Sequence, residues 1–206
     1  MTARGLLVTI DGPGGAGKST LARRTAEQLS AAGIPATATA QPSTGPMGVL
    51  ARQHTHELRG LALACLVAAD RYHHLDTHIR PALAAGQVVI CDRYVASSYV
   101  LQALDGVDQA FIQHINAHAD PPDLAVFLHC DPGELQRRLT VRGSHGRFED
   151  TPGISHAETA RFHEAALLLK QAGIPTLHLD STSHNPDFLS SQLTSTIRAL
   201  WSRRQH

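Results

Sequence analysis

The residues Gly12-Pro13-Gly14-Gly15-Ala16-Gly17-Lys18-Ser19 follow the pattern G-x-x-x-x-G-K-[ST]. They stand between the apolar run Leu6-Leu7-Val8-Thr9-Ile10-Asp11 and the helix-forming stretch Thr20-Leu21-Ala22-Arg23-Arg24. Glycines let the backbone curl until successive N–H groups face one phosphate, and the helix that follows adds its positive N-terminal end. Gly12, Gly14, Gly15, Ala16, Gly17 and Thr20 would then wrap a nucleoside triphosphate, while Lys18 supplies a point charge and the Ser19 hydroxyl reaches Mg2+. The full pattern with both flanks outweighs the blander reading of a tight strand-to-helix connection.

Asp92-Arg93 closes a second apolar run, Val88-Val89-Ile90-Cys91. In open α/β sheets ligands bind beyond the carboxyl ends of the strands, so a carboxylate here can hold Mg2+ and a guanidinium can fork onto a phosphate. Asp70-Arg71 is weaker, since an exposed helical ion pair would explain it equally well. Fourteen histidines invite a metal reading. Of the clusters His54/His56, His73/His74 and His114/His118, only the last has the i, i+4 spacing of one helical face, and no Glu lies between its members as in H-E-x-x-H, so solvent-facing residues are expected. Cys65, Cys91 and Cys130 are odd in number and each sits in an apolar segment, which predicts buried, reduced thiols.

The elements that must position these residues alternate along the chain. Strands are expected over Leu6 to Asp11, Ala36 to Ala40, Val88 to Asp92, Leu124 to Leu128 and Thr176 to Asp180. Helices are expected over Lys18 to Ala32, Met47 to Arg59, Leu61 to Ala85, Asp108 to Ala119, Pro132 to Arg142, Ala157 to Ala172 and Asn185 to Arg204. The polar, glycine-punctuated stretch 143–153 reads as a loop. Five strands alternating with helices make an α/β fold, a P-loop NTPase with a five-stranded parallel sheet and helices on both faces. The 206 residues suit one domain, residues 1–206, with a short lid near 143–153. A formal net charge of zero argues against nucleic acid or an anionic membrane as partner. There is no apolar stretch long enough to span a bilayer and no leader, so a cytoplasmic protein is expected.

Six segments, in order, resemble the thymidylate kinase family over nearly the whole chain. They are Asp11 before the P-loop, Ala40-Gln41-Pro42-Ser43-Thr44-Gly45-Pro46-Met47-Gly48, Ala69-Asp70-Arg71-Tyr72-His73-His74, the run from Asp92-Arg93-Tyr94 through Ser97-Ser98 to Leu101-Gln102, Pro122-Asp123-Leu124, and Arg142-Gly143-Ser144-His145-Gly146-Arg147-Phe148-Glu149. The resemblance implies transfer of the ATP γ-phosphate to a nucleoside monophosphate, with ATP and Mg2+ as cofactors, Ser19 and Asp92 on the metal, and a homodimer. Lys18, Arg93, Arg142 and Arg147 would act on the transferring phosphoryl group. Asp11, Pro42, Arg71, Arg93, Ser97, Ser98 and Gln102 would form the acceptor site, with Arg71 reaching the pyrimidine.

Departures from the family pattern concentrate on the acceptor sugar. Gly14 replaces an acidic P-loop residue, Ala40 and Gln41 replace an arginine and a glutamate, Ala96 an aspartate, Leu101 a tyrosine and Gly146 a lid aspartate. These losses predict that dTMP is a poor acceptor and that a pyrimidine ribonucleotide or modified pyrimidine nucleotide is at least as good, unless a residue such as Tyr72 or Tyr99 fills the space. The I-D-G-P-x-G-x-G-K-S form of the loop also resembles cytidylate kinase, which keeps a cytosine nucleotide among the acceptors. Two further readings remain: a kinase of a nucleoside or small alcohol, with Asp92 or Asp70 as general base, and a non-catalytic nucleotide-binding protein. A GTP switch would need an N/T-K-x-D element, and the chain's lysines, Lys18 and Lys170, provide none.

Overall fold

Every side chain of Leu7–Asp11 and Val88–Asp92 is buried, as strands covered on both faces must be. In the computed structural model, residues 4–143, 148 and 154–205 are described, with 142, 154, 155 and 205 described through their backbone alone. The strands are β1 (Leu7–Asp11), β2 (Ala36–Ala40), β3 (Val88–Asp92), β4 (Leu124–His129) and β5 (Thr176–Asp180). They form one parallel sheet in the order β2-β3-β1-β4-β5. The order reverses beside β1, which places the P-loop at the topological switch point where such sheets bind ligands.

The helices are α1 (Lys18–Ala31), α2 (Pro46–Gln53), α3 (Gly60–His74), α4 (Arg80–Ala84), α5 (Val95–Leu104), α6 (Gln109–Ile115), α7 (Pro132–Arg142), α8 (Ile154–Gln171) and α9 (Pro186–Gln205). Strand alternation sorts the core into two layers. Val8, Ile10, Val88, Ile90, Val126 and Leu128 face α1, α7 and α9. Leu7, Val89 and Cys91 face α3 and α4, while Ala125 and Phe127 face α5 and α8. Among the described residues no helix is long and apolar enough to cross a membrane.

Several local expectations need correction. The helix expected over 61–85 is interrupted by a π-helical turn, Leu75–Ile79. Pro81 lacks the N–H that would bond the Thr77 carbonyl, so the ladder opens there instead of continuing regularly. Met47 to Arg59 is helical only to Gln53, and the helix near Asp108 ends at Ile115. Helix α5 was not expected at all. Its residues are half buried against the core, so it lacks the polar face that marks a surface helix. Cys65 is exposed on α3 rather than buried, whereas Cys91 and Cys130 are buried, and all three are free thiols. His114 and His118 are exposed.

Candidate active site

The carboxyl ends of β1 and β3 bring two turns together. At Gly12 a Cβ would stand 2.3 Å from the Leu128 carbonyl oxygen, so only glycine lets the loop leave β1 this close to β4. Gly17 caps α1 in a left-handed conformation, φ 98°, which aims the first turn of the helix into the loop. Lys18 is buried, and its Nζ donates to the Pro13 carbonyl at 2.7 Å. The ammonium therefore already stands over the loop that a phosphate would occupy.

Ser19 Oγ donates to Asp92 Oδ2, tying the P-loop to the end of β3. Asp92 Oδ1 is buried without a partner among the described residues. A hydroxyl and a carboxylate with a spare buried oxygen are the hard-oxygen donors that Mg2+ takes. Beside them Arg93 has φ 66°, rare for a side-chain-bearing residue, and such backbones persist where surrounding structure holds them. Its amide donates to the Ile10 carbonyl at 2.9 Å, and its Nη1 lies 3.4 Å from the Gly12 carbonyl and 3.3 Å from Ser97 Oγ.

Asp11 anchors α5 from below. Its Oδ1 accepts from the amides of Tyr94 at 3.0 Å and Ser97 at 2.9 Å and from Ser97 Oγ at 2.6 Å, so a carboxylate from β1 caps a helix that Tyr94 itself does not cap. Burial pushes the Asp11 carboxyl above its ordinary pKa, against the pull of these hydrogen bonds. Asp11 is fully buried and acts on the site through α5.

At the other end, Asp70 and Arg71 are not an exposed ion pair. Both are buried, and each faces a different network because successive residues of a helix point in different directions. Asp70 accepts from the amide and hydroxyl of Ser43, the former at 2.6 Å, and so fixes the loop after the cis Gln41–Pro42 bond. Arg71 donates through Nε to Gln41 Oε1 at 2.9 Å, through Nη1 to Asn116 Oδ1, and through Nη2 to Ser98 Oγ at 2.9 Å and the Tyr94 carbonyl at 3.2 Å. The guanidinium also lies over the Tyr94 ring, 5.5 Å from its centre. A guanidinium has five N–H donors, and these bonds leave one on Nη1. His74 completes the network through Thr39 Oγ1 at 2.9 Å and Gln41 Nε2 at 3.3 Å, and burial lowers its pKa to about 4.

Between the two ends lies a cavity of about 760 Å3. Gly15, Gly17, Lys18, Ser19 and Thr20 line it from the P-loop, and Pro42, Arg71, Asp92, Arg93, Ser97, Ser98 and Gln102 line it further along, together with Gln41, Arg52, Thr55 and Glu158. Thus most of the site residues expected from sequence share one concavity. Gly12, Ala16 and Asp11 lie behind it. Gly14 is not a lining residue, and its N–H donates at 3.1 Å to the carboxylate of Glu158 on α8, which does line the cavity. Arg147 and the lid stretch 144–147 and 149–153 lie outside the described residues, as does the side chain of Arg142 at the end of α7.

Glu158 and Asn116 are site residues that sequence reasoning missed, as are Ala51, Leu63 and Val67 of the apolar wall that Leu101 and Phe148 complete. No local motif links them to the P-loop. Gln41, a departure on paper, is the partner of Arg71. Tyr72 and Tyr99 do not fill the acceptor space: the Tyr72 hydroxyl donates to the Ile115 carbonyl at 2.8 Å, and Tyr99 packs against α8 and α6.

The sequence has counterparts among known proteins. The family model described as thymidylate kinase matches residues 10–172. A thymidylate kinase of Xanthomonas euvesicatoria pv. vesicatoria is 35% identical over 203 residues, which is 97% of this chain and 86% of the relative. One from Solidesulfovibrio magneticus is 39% identical over 168 residues, 77% of this chain and 80% of the relative. A probable thymidylate kinase of Pyrococcus horikoshii is 36% identical over 154 residues, 71% and 75% of the two chains.

Proposed function

Because the chain belongs to the thymidylate kinase family, and so transfers a phosphoryl group from ATP to a nucleoside monophosphate, we propose that dTMP is its acceptor. The observation that carries this reading is Arg71, a buried guanidinium on the cavity wall with one N–H left over, on the same wall as Gln102, whose buried side-chain carbonyl has no partner among the described residues. Arginine only donates, so it selects the O4 carbonyl of thymine or uracil over the N4 amine of cytosine. Gln102 Oε1 is an acceptor for the adjacent N3–H. The apolar wall from α2, α3 and Phe148 suits the 5-methyl group, whose burial is worth about 0.8 kcal/mol.

Phosphoryl transfer is catalysed by positioning and charge neutralisation more than by covalent chemistry. Lys18 and the P-loop amides would hold the ATP phosphates, and Arg93 would orient the acceptor phosphate against Ser97. Ser19 and Asp92 would hold Mg2+, which neutralises charge between the phosphates. Arg142 and Arg147 would come from the lid stretch. No general base is required, because the attacking phosphate is already anionic. That separates this reading from a nucleoside kinase, in which Asp92 would have to take a hydroxyl proton while engaged by Ser19.

The weak dTMP activity expected from Gly14, Gln41 and Leu101 is set aside for two of the three positions. Gln41 holds Arg71 through a neutral amide, and Glu158 brings a carboxylate to Gly14. Leu101 stays an apolar contact. A second copy of the chain would cover the exposed Val49, Leu50 and Leu61 on α2 and α3, a homodimer that sedimentation velocity would detect. Nucleotides are the only partners proposed, and the cytoplasm the setting. The test is ATP-dependent turnover of dTMP beside thymidine. Conversion of dTMP to dTDP with thymidine inert supports the reading, and phosphorylation of thymidine alone overturns it.

A further inference from the structure

We propose that Asn116 is a positioning residue for the acceptor base: its side-chain carbonyl turns the Arg71 guanidinium so that the one N–H left on Nη1 meets the 4-oxygen of a keto pyrimidine. The inference rests on the acceptor reading above. Asn116 follows the last residue of α6 and is 5% exposed. It does not line the cavity, whereas Arg71 does, so it acts on a bound base only through Arg71.

Asn116 Oδ1 accepts from Arg71 Nη1, and its Nδ2 donates to the Ile112 carbonyl at 2.7 Å, one turn back on α6. The second bond fixes the plane of the amide, so the first fixes the guanidinium. A guanidinium is planar with its N–H groups in a rigid fork, and once Asn116 takes one hydrogen of Nη1 the other has a single direction. Gln41 at Nε, and Ser98 and the Tyr94 carbonyl at Nη2, occupy the remaining edges. These partners are all neutral, and among the described residues no carboxylate pairs with Arg71, since its neighbour Asp70 is turned to Ser43. Burial accordingly lowers the Arg71 pKa, as it does for a cation that gives up water without gaining a counter-ion. The charge is left for the ligand, and a preorganised donor of this kind meets a carbonyl oxygen without rearranging.

The competing role is a brace at the end of α6, in which the Ile112 bond matters and the Arg71 bond does not. Asn116→Ala removes both bonds, whereas Asn116→Asp keeps an acceptor for Arg71 and loses the donor to Ile112. Both variants and wild type are compared on dTMP and on 4-thio-dTMP, which keeps N3–H and puts a weakly accepting sulfur at position 4, with the KM for ATP measured alongside. Wild type should prefer dTMP. Asn116→Ala should raise the KM for dTMP about tenfold, the size of a hydrogen bond to a charged group, and that for 4-thio-dTMP by less than about twofold, with kcat and the ATP KM unchanged. Asn116→Asp should keep the preference to within about threefold, because its carboxylate still holds Nη1. If Asn116→Ala does not fold, Asn116→Leu, close to asparagine in shape and without an acceptor, takes its place in the comparison. Equal losses on both acceptors, an Asn116→Asp as impaired as Asn116→Ala, or a wild type indifferent to the 4-oxygen overturns the proposal. A wild type that does not phosphorylate dTMP at all overturns the acceptor reading instead, and needs no variant to show it.

Discussion

Gln41 Oε1 accepts the Nε–H of Arg71 at 2.9 Å, so the end of β2 sets the angle of the guanidinium on α3. Both residues are buried, and Gln41 in turn meets His74 Nδ1 at 3.3 Å. Gln41→Ala should leave the Arg71 side chain short of one partner in a buried setting. We expect the KM for dTMP to rise about tenfold, with the ATP KM changed by less than about twofold, since a lost buried hydrogen bond to a charged group costs roughly 1.5–3 kcal/mol. Initial-rate kinetics with each substrate varied separately checks it.

Lys18→Ala should lower kcat by about a hundredfold to a thousandfold in a protein that remains folded, because the lysine charge meets the phosphates where negative charge shifts during transfer. Circular dichroism establishes the fold and a coupled assay the rate. Near wild-type kcat in the folded variant contradicts the catalytic assignment of the P-loop.

These two sites differ in how legible they were. The P-loop is a contiguous string whose glycines, lysine and serine each have one job, and the strands flanking it are apolar throughout because both faces are covered. The acceptor end is assembled from β2, α3, α5, the loop after α6, and α8. Asn116 reaches Arg71 across 45 positions and Glu158 reaches Gly14 across 144, distances over which local patterning carries no information. Helix α5 escaped notice for a related reason: Asp11, from another strand, caps it, so its own sequence has no start signal. The interrupted helix at Leu75–Ile79 was readable in principle from Pro81.

Acid should destabilise the protein through two histidines. Burial lowers both His74 and His129 from 6.5 to about 4, His129 also beside His163 and His178. The folded state therefore binds these protons more weakly than the unfolded chain, and the linkage favours unfolding as pH falls. Stability should be constant above about pH 7 with respect to these groups and decline between about 6.5 and 4. Urea midpoints across that range check it, and His129→Gln should flatten part of the slope.

The arginines of the lid stretch should act on the rate more than on binding. Arg147→Ala is expected to reduce kcat while changing the ATP dissociation constant little, because a residue that meets charge only in the closed complex stabilises the transition state selectively. Isothermal titration beside steady-state kinetics separates the two. Weakened ATP binding at unchanged kcat contradicts the role.

The most direct test of the account is kcat/KM measured with ATP and Mg2+ for dTMP, dUMP, UMP and dCMP. Arg71 and Gln102 favour a 4-keto base, and the apolar wall favours the 5-methyl group by about 0.8 kcal/mol, or roughly fourfold. The account predicts dTMP first, dUMP a few-fold lower, UMP lower again because Leu101 gives its 2′-hydroxyl no hydrogen bond, and dCMP far behind. A preference for dCMP, or for UMP over dTMP, would contradict it.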